Sequence, residues 1–166
     1  MQNLKLNLKP KKISLKNIGS NKIGFISILE NFDIPFDVNR VYLVHATPNN
    51  VTRGFHAHKE LQQILIASSG SVKINLIDRY NNNQVIELNS PKEGLYIPPL
   101  VWRTIEYSDN AVLVCLASIN YDENEYIRDF NEFKKLISFL KKLTSTLFFF
   151  AFRFANSKIE SSLSSA

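Results

Sequence analysis

The stretch QQILIASSGSVKINLID, residues 62–78, holds two short runs rich in isoleucine, leucine and valine that meet at Ser69-Gly70. Runs of this length and composition, parted by small residues that suit a tight turn, read as β-strands. Working outward, similar segments recur at IGFISIL (23–29), RVYLVHA (40–46), QVIELN (84–89), LYIPP (95–99) and AVLVCLAS (111–118). Thr47-Pro48-Asn49-Asn50, Tyr80-Asn81-Asn82-Asn83, Ser90-Pro91 and Ser108-Asp109-Asn110 punctuate them. A strand every roughly 8–14 residues predicts a sandwich or barrel, not βαβ units. The pattern changes after Tyr121. Apolar positions 130, 133, 136, 137, 140 and 143 share one face of a helix that starts near Asp129, with Glu132 placed as in a capping box. Beyond Leu143 the chain reads TSTLFFFAFRFANSKIESSLSSA, which fits neither the sheet nor a long clean helix and is expected to be an appendage. The expected division is a domain over 1–137 and an atypical helix end and tail over 138–166.

At 166 residues and 45% hydrophobic, the chain is long enough for one sizeable core. Its formal charge of +5 raises a nucleic-acid or anionic-surface reading, so the distribution matters. Residues 1–29 carry six lysines and no acid, and residues 134–166 carry six basic residues against Glu160. Residues 30–133 carry eight basic and fourteen acidic side chains, so the segments stand at +6, +5 and, for the body, −6. A net acidic body excludes a nucleic-acid-binding core. A single cysteine, Cys115, excludes a disulfide framework, and with three histidines it excludes a multi-cysteine zinc module. The N-terminus alternates lysine with leucine and has no apolar signal-peptide core, so a cytoplasmic location is expected. The run LFFFAFRFA (147–155) is far shorter than the roughly 20 residues that span a bilayer. It is expected to pack on the barrel or a partner, with an anionic membrane surface or a poorly ordered extension as the lesser alternatives.

The chemistry concentrates in Arg53-Gly54-Phe55-His56-Ala57-His58-Lys59. Residues i and i+2 of a strand share a face, so His56 and His58 are expected to share a pocket. Gln63 faces that pocket only if a turn or bulge around 59–61 resets the strand phase. This spacing of His56, His58, Gln63 and Gly70 is that of the first signature of the cupin superfamily, a jelly-roll β-barrel in which two histidines and a glutamate bind a metal. By the same resemblance the last ligand falls at Arg103, and glycine is usual where Leu100 stands, so the turn there is expected to differ. With an amide at 63 and a guanidinium at 103, no metal is expected. The imidazoles are left for acid–base work and Arg103 and Arg53 for holding an anion or an oxygen that develops charge.

RGFHAHK, Gln63, NSPKEGLYIPPLVWR (89–103), LAS (116–118) and YDENEYIRDF (121–130) occur in order at matching separations. Together, over about residues 13–137, they resemble the WxcM-like cupins, the sugar nucleotide 3,4-ketoisomerases of dTDP-4-dehydro-6-deoxyglucose. The resemblance implies an all-β cupin, a double-stranded β-helix with a C-terminal helix, working without metal or other cofactor. It implies a carbonyl shift from C4 to C3 through an enediolate, on a dTDP-linked 4-keto-6-deoxyhexose, for surface polysaccharide, in a homodimer. His56 is expected to be the base and His58 the second acid–base group. Arg53, Lys59, Gln63, Arg103, Tyr42 and Tyr121 are expected to contact substrate. The alternatives are a non-catalytic nucleotide-sugar-binding cupin and a 3,5-epimerase-type cupin.

Overall fold

The computed structural model describes residues 8–30, 33–49 and 51–163, with side-chain surroundings as far as residue 146. Twelve strands and one long helix are described: β1 (Lys11–Ser14), β2 (Lys16–Ser20), β3 (Gly24–Ile28), β4 (Arg40–Val44), β5 (Thr52–His58), β6 (Gln63–Ser69), β7 (Val72–Ile77), β8 (Asn83–Leu88), β9 (Glu93–Ile97), β10 (Trp102–Tyr107), β11 (Val112–Ala117), β12 (Tyr126–Ile127) and α1 (Phe130–Leu163). They form two five-stranded sheets, in the orders β1-β9-β6-β11-β4 and β12-β5-β10-β7-β8, with β2 and β3 as a separate hairpin. All pairs are antiparallel. The cupin architecture expected from the sequence is the one observed.

The sheets face each other because their strands alternate. Every second residue of β7 (Val72, Ile74, Leu76) and of β11 (Leu113, Cys115, Ala117) is buried. All of these but Ala117, with Leu65, Leu95, Ile105 and Tyr107, make one apolar cluster between the layers. A second cluster binds the helix, where Phe133 and Ile137 of α1 pack on Ala57, Leu100, Trp102 and Ile127. Trp102 meets the rings of Phe130 and Phe133 at 5.0 and 5.7 Å, so it is a packing residue.

Three expectations change. Residues 11–20 and 102–107, absent from the strands expected by composition, form β1, β2 and β10. The helix starts as expected, with Asp129 Oδ1 accepting the Glu132 N–H at 2.8 Å. It does not end at Leu143, however, but continues to Leu163, so the segment read as an appendage extends a single helix. The side chains of LFFFAFRFA lie outside the described residues. No helix among the described residues is long and apolar enough to cross a membrane. Leu100 itself takes a glycine-like conformation. Its φ is +58°, the left-handed conformation that glycine adopts freely, and its N–H donates to the His58 carbonyl at 2.8 Å. The burial of the Leu100 side chain under α1 offsets that strain.

Candidate active site

The site is built on a fault in β5. Along β10, Arg103 is paired with His56, Thr104 with Gly54 and Ile105 with Arg53, so Phe55 is an extra residue on β5. Gly54 (φ +97°) and Phe55 (φ +54°) both take the left-handed conformation that such a bulge requires. Only glycine fits at 54, because a Cβ there would lie 2.7 Å from the Arg103 carbonyl oxygen. In an unbroken strand Arg53 and His56, three residues apart, would face opposite sides. The bulge resets the phase, and both line one cavity of about 260 Å³.

The same bulge fixes the His56 tautomer. Nδ1 lies 2.9 Å from the Gly54 carbonyl, which only accepts, so Nδ1 carries the proton and Nε2 keeps its lone pair. Burial, and then the Arg103 charge, push the half-buried imidazole down to about 4, so it is neutral at pH 7. His58 is more deeply buried, 2% exposed. Burial first and Arg103 second drive its pKa far below the ordinary histidine range. Its ring packs against His56 at 4.9 Å and against Tyr126 at 4.3 Å, and its Nδ1 has no hydrogen-bond partner.

The opposite wall comes from the other sheet. The chain between β5 and β6 turns at Glu60 and Leu61, whose N–H groups both donate to Glu125 Oε2. The connection therefore does more than reset a phase, because it carries the chain from one sheet to the other. Gln63 then faces His56 across the cavity. Arg103 Nη2 donates to Gln63 Oε1, and Gln63 Nε2 donates to the Tyr42 hydroxyl at 2.7 Å. Tyr42 in turn is hydrogen-bonded to the Cys115 thiol. Arg103 is 3% exposed; burial lowers its guanidinium to about 10, so it remains a cation at neutral pH. Burial pushes the Tyr107 phenol up to about 12, and this neutral side chain completes the wall.

Two exposed cations, Arg53 and Arg128, edge the cavity. Arg128 pairs with Glu123 at 2.8 Å and stacks over Tyr126 at 4.3 Å.

Of the residues singled out in the sequence, His56, Arg53, Gln63, Arg103 and Tyr42 line the cavity together. His58 stands behind His56. Two lie apart. Lys59 Nζ donates to the Asn124 carbonyl at 2.7 Å, and Tyr121, 63% exposed, donates to Glu123 at 2.6 Å. Tyr126 and Arg128 line the cavity and were not singled out. Their signal is the alternation Tyr126-Ile127-Arg128, in which Ile127 is buried and its two neighbours face the other way.

The donor set does not suit a divalent cation. A guanidinium and a neutral amide flank the imidazoles, and no cluster of three His, Cys, Asp or Glu side chains that could hold a metal occurs among the described residues.

Residues 8–138 match the family described as FdtA: WxcM-like, C-terminal. The chain belongs to this family. It is 42% identical over 129 residues, 77% of this chain and 92% of the relative, to the TDP-4-oxo-6-deoxy-α-D-glucose-3,4-oxoisomerase of Aneurinibacillus thermoaerophilus. A 3,4-ketoisomerase from Helicobacter canadensis superposes with a TM-score of 0.73 at 40% identity, covering 80% of this chain and 99% of that one. The sugar 3,4-ketoisomerase QdtA from Thermoanaerobacterium thermosaccharolyticum, solved with TDP, superposes at 0.72 with 41% identity, covering 78% and 94%. The match of these WxcM-like relatives includes the bulged strand, both arginine-bearing edges and the start of α1.

Proposed function

We propose that this chain is a sugar nucleotide 3,4-ketoisomerase that converts a TDP-linked 4-keto-6-deoxyglucose into its 3-keto isomer. The observation that carries the reading is a neutral imidazole, His56, whose Nε2 keeps its lone pair and which lines a cavity beside its cross-strand neighbour, the buried Arg103 cation. A base beside a fixed positive charge is what enolisation of a ketone requires. Named relatives with this activity support the choice of substrate.

The 4-keto group makes the C3 proton acidic. His56 Nε2 takes that proton, and the electrons of the broken C3–H bond form the enediolate, whose negative oxygen faces Arg103. A proton then returns to C4, the C3 hydroxyl gives up its proton to become the ketone, and the C4 oxygen ends as a hydroxyl. Atoms and charge balance without a redox partner. His58, kept neutral by burial, holds the His56 ring edge-on; it does not shuttle protons. The diphosphate lies across Arg53 and Arg128, the two exposed cations at the cavity edge. Binding there also raises His56 toward a useful basicity, because two negative charges offset the field of Arg103.

The active form in this reading is a homodimer in the cytoplasm, supplying deoxysugars for surface polysaccharide. The apolar residues left exposed on the β2–β3 hairpin, Ile18, Phe25 and Ile26, and on β4, Val41 and Leu43, support the pairing.

Proton NMR of the sugar during incubation with TDP-4-keto-6-deoxyglucose tests the activity. Wild type is expected to move the carbonyl, whereas His56→Asn keeps TDP binding and loses about 10²–10⁴-fold in kcat, the usual contribution of a positioned base. A His56→Asn variant with near-normal turnover would remove His56 from its role. Tight TDP binding by wild type with an unchanged sugar spectrum would favour a binding module.

A further inference from the structure

The buried arginine poses a question of charge. Arg103 is 3% exposed, and among the described residues no carboxylate lies within ion-pair distance of it. The groups around it are His56 and His58 from β5, Gln63 from β6, Tyr42 from β4, Cys115 from β11, Tyr107 from its own strand and Tyr126 from β12. None of them is a carboxylate. A cation taken out of water without a counter-charge is costly, and folds ordinarily relieve it with an acid. Here the residue that reaches the guanidinium is an amide.

Gln63 is 2% exposed and uses both ends of its side chain. Arginine has only donors, so Oε1 must face Arg103, and Nε2 is spent on the Tyr42 hydroxyl. The amide is thereby locked between two walls of the sandwich. We propose that Gln63 is a positioning residue: it braces the Arg103 guanidinium from the opposite sheet and leaves its positive charge uncompensated for the oxygen that becomes negative in the reaction. A carboxylate of the same shape would hold Arg103 equally well and cancel the charge. The inference rests on the ketoisomerase reading for its catalytic meaning, but the charge balance itself is a property of the free protein.

The test compares Gln63→Glu with Gln63→Met in the full chain. Readouts are kcat and KM with TDP-4-keto-6-deoxyglucose, TDP affinity by calorimetry, the pH profile of kcat/KM, and the His56 pKa by NMR without ligand. Burial first, then Arg103 and Arg128, lower the His56 pKa, the Gly54 carbonyl and Glu123 raise it, and the His58 and Tyr126 rings pack against the imidazole. Gln63→Glu is expected to fold and to bind TDP within about threefold of wild type. Its kcat should fall about a hundredfold to a thousandfold, the scale of losing one charge-stabilising group. Its His56 pKa and acid limb should move up by about one unit, because the new carboxylate offsets Arg103. Gln63→Met removes the brace but adds no charge, so its kcat should fall while the His56 pKa stays.

Equal losses in the two variants with an unmoved His56 pKa would show an ordinary wall amide and overturn the proposal. Should Gln63→Glu fail to fold, a Gln63→Met kcat equal to wild type overturns it as well. A wild type that turns over no substrate, with the His56 pKa still rising in Gln63→Glu, overturns the ketoisomerase reading and supports the charge balance.

Discussion

His56 combines a depressed basicity with a proposed task that needs a base, and the order of events reconciles the two. In the free protein the imidazole is held down by burial and by Arg103, to about 4. In the proposed complex a dianionic nucleotide at Arg53 and Arg128 partly cancels the local field and strengthens the base. The pH dependence of kcat/KM reports the free enzyme and that of kcat the bound one. The acid limb of kcat/KM is therefore expected near pH 4, and that of kcat at higher pH. The sign follows from protonation disabling the base, so rates fall as the pH drops through each value. Identical limbs in steady-state profiles would mean that the bound anion does not act on His56. At this scale the sequence was informative where function depends on strand alternation. His56 and His58 follow from i, i+2 geometry, whereas Gln63 and Arg103 were reached through the resemblance to the cupin signatures. Tyr126 and Arg128 escaped notice because β12 has two residues, too short for its alternation to stand out from a loop.

Among the elements, β5 determines the site, through a bulge that no pattern of apolar residues announces. Gly54 supplies the carbonyl that orients His56 and the conformation that turns Arg53 inward. Gly54→Ala would place a methyl group against the Arg103 carbonyl and force a left-handed φ on alanine. The expected result is destabilisation of about 1–3 kcal/mol by thermal or urea unfolding. A kcat loss of about tenfold or more, out of proportion to that destabilisation, should accompany it, since a small displacement of the base suffices. A stable, fully active Gly54→Ala protein would show that the bulge is incidental. The other elements differ in legibility for physical reasons. β10 opens with Trp-Arg, which masks its alternation, and β1 and β2 are laced with lysines that extend to solvent from an edge strand and a hairpin. The Thr144-Ser145-Thr146 run reads as a helix stop. In the structure each hydroxyl donates to the carbonyl four residues back, at 2.8, 2.9 and 3.0 Å, and the helix runs on.

On the scale of the molecule, α1 divides into a part that holds the barrel and a part that does not. Phe133, Ile137, Leu136 and Leu140 pack on the sheet, whereas the side chains from 141 to 146 are exposed. A chain ending at residue 143 is expected to keep its kcat within about twofold, since the packed face is retained. Light scattering on the full and shortened chains should give dimers for both, and Val41→Lys, which puts a charge on the exposed face of β4, should give a monomer. A monomeric shortened chain would assign the pairing to the end of the helix.

The groups lining the cavity sit on both layers of the sandwich, His56 and Arg103 on one and Gln63 and Tyr42 on the other, with a side-chain hydrogen bond as the link. That link acts as a clasp: the sheets can loosen by a fraction of an ångström and keep their strand ladders while the base and the cation lose their mutual placement. Turnover is thus a finer gauge of how firmly the two layers are closed than any signal from the backbone, and on warming it should fade before the sheets themselves melt.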